Sequence, residues 1–224
     1  MNTERKGIIA YWAIPLLGVA FCLWYVKNAT CDVVYSDYIR LVNSYLPDVY
    51  NPEKFFVPDV LTRIPINYLC RIINVEFLGY SITLERVLGV ISLGLAGGVF
   101  GIYCRSRNTG LGWFALLMAV MFSLNKWEML TNGSGWSHFF AFACFYYHEL
   151  VLDRVWAGEE KKGDRARLLT LPWLIILGTA GPYCAIYAVT ILLSYGFCFI
   201  RDYYRRQYGA SLWDIRYAAY AACT

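Results

Sequence analysis

Charged side chains are scarce in this chain. Asp, Glu, Lys and Arg make up 16% of its 224 residues, whereas 58% are apolar and 18% are aromatic. Soluble domains usually contain about 45–50% apolar residues and about a quarter charged ones. A soluble core cannot absorb this excess of apolar side chains, so we expect lipid to be the solvent for much of the surface. The composition therefore excludes an ordinary soluble domain.

Histidine and paired cysteines are also lacking. The chain has two His and eight Cys, but no H-x-x-H or C-x-x-C spacing, so His and Cys offer no metal site. Cys22, Cys144 and Cys198 lie inside apolar runs and are interpreted as small packing residues. Cys31 and Cys70 lie in a long polar loop and are the one pair considered for a disulfide bridge, whose geometry the sequence does not determine.

Six apolar runs predict an all-α fold, a polytopic transmembrane helical bundle that forms a single domain over residues 1–224. The first run is about 19 residues long, enough to cross a hydrocarbon core of about 30 Å. No small-x-small cleavage site follows it, so we expect it to remain as an anchor rather than to be removed as a signal peptide. The predicted spans are 8–26, 87–104, 111–124, 136–152, 168–180 and 184–200, with an outer loop at 27–86.

Basic residues predict the orientation of the bundle. With a cytoplasmic N-terminus, four segments rich in Lys and Arg face the inside, whereas the two short outer loops contain only Lys126. This alternation follows the positive-inside rule, from which long translocated loops such as 27–86 are largely exempt. The basic clusters are short and follow the sidedness of the membrane, which argues against nucleic-acid binding. Residues 215–224 turn apolar again, so we expect this chain to be the N-terminal part of a longer protein.

The second predicted span contains Gly94, Gly97, Gly98 and Gly101 on one broad stripe. Small residues at this spacing let two membrane helices approach closely, which predicts a central position for this span. The alternative is that glycine is simply tolerated in a membrane helix.

The outer loop predicts short amphipathic helices that lie along the membrane surface. Ser36 can cap a helix beginning at Asp37, and Ile66, Leu69 and Ile73 recur at helical spacing later in the loop. Asp37 is then either a first-turn acid that favours the helix dipole or a functional carboxylate.

Several other polar residues are candidates for a site at the outer face. Arg63 and Arg86 are either surface cations or guanidinium groups that hold a phosphate. The second outer loop places Glu128 beside Trp127. His138 lies just inside the next span, where an ionisable residue is a functional candidate by default. His148 and Glu149 lie near the predicted cytoplasmic end of that span, where we expect them to reach the interface.

This layout resembles the N-terminal half of the bacterial polytopic glycosyltransferases of the GT-C superfamily. The similar stretches are Ser36-Asp37-Tyr38 in the first outer loop, Lys126-Trp127-Glu128 in the second and Gly181-Pro182-Tyr183 in the third. The chain departs from the family pattern because its first loop has no Asp-x-Asp or Asp-Glu pair, which leaves Asp32 as a rival to Asp37.

The resemblance implies an enzyme of the cell membrane, in a bacterium, that moves a sugar from a polyprenyl-phosphate-linked donor to a glycan or lipid acceptor. Asp37, Asp32 or Glu128 would then be the catalytic carboxylate. Some members of the superfamily use a divalent metal such as Mg²⁺ or Mn²⁺ and others do not. A transporter or flippase for lipid-linked sugars and a non-catalytic membrane scaffold are the alternatives. The residues expected to bind substrate are Arg63, Arg86, Trp127, His138 and Tyr183.

Overall fold

The computed structural model describes residues 3–31, 33, 39, 49–55, 65–179, 181–207 and 216–224. These residues form helices and turns and contain no strand, which confirms the all-α prediction for the described part of the chain. Short 3-10 turns occupy Pro52–Phe55, Leu124–Lys126 and Gly181–Tyr183. The helices are α1 (Thr3–Ala29), α2 (Pro65–Leu78), α3 (Ile82–Ser106), α4 (Leu111–Met121), α5 (Trp127–Thr131), α6 (Trp136–Trp156), α7 (Asp164–Trp173), α8 (Cys184–Gln207) and α9 (Arg216–Cys223).

Three helices in the described part of the chain are long and apolar enough to cross a membrane. The qualifying stretches are Ile9–Ala29 in α1, Ile82–Ser106 in α3 and Cys184–Arg205 in α8. They correspond to the first, second and sixth spans predicted from the sequence. Fewer helices than the six predicted therefore meet this criterion, and α3 begins five residues earlier than the sequence indicated.

The other three predicted spans differ from simple membrane helices. α4 has only 11 residues, a rise of about 17 Å. The predicted span 168–180 is divided, because α7 ends at Trp173 and the chain continues as a π-helical stretch, Leu174–Thr179. α6 has 21 residues but carries ionisable side chains along its length. The spans were predicted from apolar runs, and an apolar run does not indicate where a helix ends or changes its winding.

α3 is the central helix of the bundle and packs against both α1 and α6. Its glycine stripe faces α1: a Cβ atom at Gly101 would fall 2.6 Å from the main-chain oxygen of Tyr11. At Gly97, a Cβ atom would lie 3.3 Å from the Cβ of Pro15. The glycines thus create the space in which α1 lies against α3, which confirms the packing role predicted for the stripe.

α2 confirms the amphipathic helix predicted after Pro65, with its apolar side turned outward. Leu69, Ile73 and Phe77 are 53%, 54% and 79% exposed. Its buried residues are mainly polar and include Arg71 and Asn74. This arrangement is the reverse of a helix on a soluble protein and favours a position against lipid.

We expect Gly101→Ala to destabilise the protein, because the added methyl group would meet the Tyr11 carbonyl and push α1 away from α3. Overpacking of this kind costs about 1–3 kcal/mol. The measurement is the thermal unfolding temperature of the purified protein in detergent.

The matched control is Gly196→Ala in α8, where a Cβ atom would meet nothing within 4 Å. Equal unfolding temperatures for the two variants would contradict the close packing at Gly101.

Candidate functional site at the loop end of the bundle

A layer of buried polar side chains lies at the end of the bundle where α1 ends and α3 begins, which we call the loop end. α2 contributes three of these residues because its polar side faces inward, and the others come from the first turn of α3 and the end of α5. Burial of so many polar groups is unfavourable unless they are hydrogen-bonded or serve a site. The buried residues are Asn67, Arg71, Asn74, Glu85, Arg86, Thr131 and Asn132.

Arg86 joins three segments of this layer. Its side chain is 3% exposed. Its Nε donates to the Thr131 carbonyl at 2.5 Å, and its Nη2 donates to the Cys31 carbonyl at 3.1 Å. The forked guanidinium can reach two carbonyls at once. Arg86 therefore holds the end of α1, the start of α3 and the end of α5 together, whatever further contacts it makes with a ligand.

Asn74 fixes the turn between α2 and α3. Its Nδ2 donates to the Ser81 carbonyl at 3.0 Å, and its Oδ1 accepts from the Ser81 amide at 2.8 Å. Gly79 and Tyr80 adopt left-handed backbone angles, with φ of 58° and 64°. This turn sets the buried side of α2 against the first turn of α3.

Cys70 lies on the buried side of α2, near Arg71 and Glu85. Burial raises the pKa of its thiol to about 12, with a smaller contribution from the negative charge of Glu85 and an opposing one from Arg71. Cys31 is exposed, and both cysteines are free. The disulfide bridge considered from the sequence is therefore not formed.

α5 separates two cavities at the loop end. On one side, Trp127 and Thr131 line a cleft of about 290 Å³ together with Tyr25 and Cys31. Trp127 is 50% exposed there, and the neighbouring Glu128 is also exposed. Trp127 and Arg86 are thus linked through α5, because Trp127 begins this helix and Arg86 bonds the carbonyl of Thr131, at its end.

The second cavity, on the other side of α5, has a volume of about 370 Å³. His138 and Tyr183 both line it, and their rings meet edge to face with centroids 5.4 Å apart. Lys126 also lines it and donates from Nζ to the Met121 carbonyl at 2.5 Å. Burial lowers the pKa of the Lys126 amine. The rest of the lining is largely apolar and aromatic and includes Leu117 and Phe142.

The predicted site residues therefore fall into two groups and a remainder. Trp127 lines the cleft, and Arg86 bonds the carbonyls of Cys31 and Thr131, which also line it. His138 and Tyr183 line the second cavity, with Glu128 on the short helix between the two. Asp32, Asp37 and Arg63 lie outside the described residues. Lys126 belongs to the second cavity, and it was quoted from the sequence only as part of a motif.

A second polar network, which the sequence reading did not assign to any site, lies deeper in the bundle. His148 is fully buried and is bonded to Tyr195 of α8, with Nε2 and Oη 2.6 Å apart. Its other ring nitrogen, Nδ1, lies 3.1 Å from Oε1 of Glu149. The expectation that His148 reaches the interface is therefore wrong, because its partner on α8 holds it inside. The only available signal was the presence of two adjacent ionisable residues in an apolar run.

No family model, curated protein or solved structure matches this chain. Among the described residues, no group of three or more His, Cys, Asp or Glu side chains could hold a metal ion. The second cavity instead offers a cation, an imidazole and a phenol at one end of an apolar chamber, which suits an amphiphilic ligand.

We expect Arg86→Lys to lower the stability of the loop end, because a single ammonium group cannot reach both the Thr131 and Cys31 carbonyls. The loss of a charged hydrogen bond in a buried position costs about 1–3 kcal/mol. Thermal unfolding in detergent measures the effect.

Arg105→Lys, at the exposed far end of the same helix, is the control and should change stability by less than about 0.5 kcal/mol. An Arg86 variant as stable as this control would show that the two carbonyl contacts contribute little.

Proposed function

We propose that the chain is part of an integral membrane glycosyltransferase, which moves a sugar from a polyprenyl-phosphate-linked donor to an acceptor at the outer face of the membrane. The supporting observation is the cavity between α4, α6 and α8, which has Lys126, His138 and Tyr183 at its loop end and the phenols of Tyr146 and Tyr187 deeper in an otherwise apolar lining. In this proposal the bundle crosses the membrane six times, both ends of the chain are cytoplasmic, and the loop end faces outward. The basic residues at the opposite end support that orientation.

The shape and lining of the cavity fit a lipid phosphate. Lys126, His138 and Tyr183 all lie within three residues of a helix start at the loop end. The cavity extends along α6 to Tyr146, a rise of about 12 Å from His138. A phosphate head would lie beside the Lys126 ammonium, and the first isoprene units would contact Leu117, Phe142 and their neighbours.

The acceptor chemistry requires a carboxylate at the same end. In the proposed step, the acceptor hydroxyl oxygen attacks the anomeric carbon and the bond from that carbon to the phosphate oxygen breaks. The hydroxyl proton passes to Asp37, with Asp32 and Glu128 as the alternatives, and the lipid phosphate leaves as an anion. Lys126 and Arg63 are the cations proposed to stabilise the charge that develops on it. Arg86 bonds the carbonyls of Cys31 and Thr131, which line the cleft on the other side of α5, and would act only by holding the loop end together.

A transporter or flippase for lipid-linked sugars is the second candidate. Two observations favour it: the fully buried His148 beside Glu149, whose side chain is 32% exposed to a cavity in the middle of the bundle, and the π-helical stretch that interrupts the fifth predicted span. Ionisable groups at mid-membrane and discontinuous helices are typical of transporters. The proposed enzyme site lies nearer the loop end than this network, so the two functions can be tested by separate variants.

We expect Asp37→Asn to abolish sugar transfer by the full-length protein without changing its insertion into the membrane. The amide keeps the size of the carboxylate and its capping ability, but it cannot accept the acceptor proton. Transfer is followed with a polyprenyl-phosphate-sugar donor.

Asp32→Asn is the paired control. Loss of transfer only in the Asp32 variant would move the base five residues upstream, and transfer in both would leave Glu128 as the candidate. Absence of transfer by the unmodified protein, together with movement of the lipid between leaflets, would favour the flippase. Absence of both activities would favour a scaffold.

The cavity itself predicts that Leu117→Trp weakens the binding of polyprenyl phosphate, because the indole would fill the apolar chamber. A loss of about tenfold corresponds to about 1.4 kcal/mol of binding free energy. Binding of the lipid to the purified full-length protein is measured directly, so the result does not depend on catalysis.

Leu116→Trp is the matched control, since Leu116 is a neighbouring exposed residue of α4 that does not line the cavity. Equal affinities of the two variants would show that the lipid does not bind in this chamber.

A further inference from the structure

The network around His148 lies halfway along the bundle. It joins α6 to Tyr195, which is the twelfth of the 22 residues in the apolar stretch Cys184–Arg205. His148 and Tyr195 are both 0% exposed. An ionisable group at this depth is unfavourable unless its charge is compensated or its hydrogen bonds are satisfied.

Pro172 fixes the direction of the first hydrogen bond in this network. In a regular helix the amide of residue 172 would donate to the Leu168 carbonyl, but proline has no N–H. The carbonyl instead accepts from the Tyr195 hydroxyl at 2.8 Å. Because a phenol has a single proton, the Tyr195 oxygen can then only accept from His148.

The proton on His148 is thereby assigned to Nε2. That nitrogen lies 2.6 Å from the Tyr195 oxygen and must be the donor in this contact. Nδ1 faces Oε1 of Glu149 at 3.1 Å, and Oε2 of the same carboxyl accepts from Ser194 at 3.2 Å. A neutral His148 would present a lone pair to an ionised carboxylate, which is repulsive. One further proton is needed between them, either on Nδ1 or on the carboxyl.

Acidic side chains lie near the cavity that Glu149 lines. Glu149, Asp153 and Asp202 all lie close enough to Cys198 on α8 to interact with it electrostatically. Asp153 is already paired with Arg107, and the guanidinium of Arg201 lies 3.8 Å from the Trp156 ring centroid. The other titratable groups that line the same cavity or pack with Tyr195 are Tyr103 of α3, Tyr146 of α6, and Tyr217 and Tyr220 of α9.

A cavity of about 300 Å³ connects the pair with the basic end of the bundle. Glu149 and Ser194 line it at one end, and Asp153 and Trp156 line it toward the end of α6. We infer that His148 and Glu149 form a proton-binding site, which holds one proton between the two side chains and exchanges it through this cavity. The site is independent of the proposed sugar transfer, since it uses none of the residues assigned to that reaction.

The protonation state can be measured on the full chain in lipid nanodiscs. The chain has only two His, so nitrogen NMR of ¹⁵N-histidine resolves them, and His138→Gln assigns the signals. Infrared spectroscopy reports the carboxyl in the same sample. We expect, near neutral pH, either a His148 ring protonated on both nitrogens beside an ionised Glu149, or an Nε2-protonated ring beside a protonated Glu149 carboxyl. A neutral His148 beside an ionised Glu149 would overturn the inference.

Variants test which residues hold the proton. Glu149→Gln should remove the pH-dependent loss of this proton, whereas Asp153→Asn, on the same cavity, should retain it. Because the two groups share the proton, the titration belongs to the pair rather than to either residue. If the proton is lost over the same pH range in Glu149→Gln as in the unmodified protein, the assignment is wrong. The unfolding temperature of the variant shows that it remains folded.

Access through the cavity is tested by hydrogen–deuterium exchange of the same signals. Val99→Phe places a larger side chain in the cavity lining and should slow the exchange. Leu95→Phe, one turn earlier on α3 and outside the lining, is the control. Equal exchange rates in the two variants would show that the proton leaves by another route.

Discussion

The packing of α3 between α1 and α6 is the contact on which the rest of the bundle depends. Small residues let α1 approach one side of α3, while the other side packs along α6. Because α6 in turn contacts α7, the pair of α3 and α6 links two apolar cores. One core lies mainly between α1, α3 and α4, around Leu93 and Phe114, and the other mainly between α6, α7 and α8, around Val151 and Ile191. The first turn of α3 also carries Glu85 and Arg86, so the same helix that organises the core positions the polar layer at the loop end.

The three helices that are long and apolar enough to cross a membrane are compatible with lipid as the solvent, which would account for the polar groups that lie inside. In water, α2 would bury Leu69, Ile73 and Phe77, and would expose Arg71 and Asn74. Against a membrane, apolar side chains gain nothing by burial, whereas polar groups require partners within the protein. The buried layer at the loop end and the His148 network both follow from this constraint. Each is maintained by hydrogen bonds between segments that are distant in sequence, such as that from Arg86 to Thr131.

The sequence predicts the long apolar helices well and the polar networks poorly. α1, α3 and α8 are recognisable because a single continuous property, apolarity, extends over their whole length. The end of α4 and the π-helical stretch after Pro172 depend on the local winding of the backbone. The mean apolarity of a sequence window carries no information about that winding. The partners of His148 could not be predicted, since Tyr195 lies 47 residues away and its role depends on the carbonyl that Pro172 leaves free. For the candidate site, the sequence predicted His138 from its place in an apolar run and Tyr183 from a resemblance, and only the fold shows that their rings meet in one cavity.

The two larger cavities are separated by a wall of aromatic side chains. Phe100 and Tyr146 line both cavities, and their rings meet edge to face with centroids 4.2 Å apart. A transporter would need these rings to move, because their displacement would join the two cavities into one path along the bundle. An enzyme at the loop end would need them in place, since they close the chamber below the lipid. Tyr146 also packs against Phe142 at 4.1 Å and Phe145 at 5.9 Å. Edge-to-face aromatic contacts stabilise one arrangement by about 0.5–1.5 kcal/mol each, so this wall favours the arrangement in which the two cavities are separate.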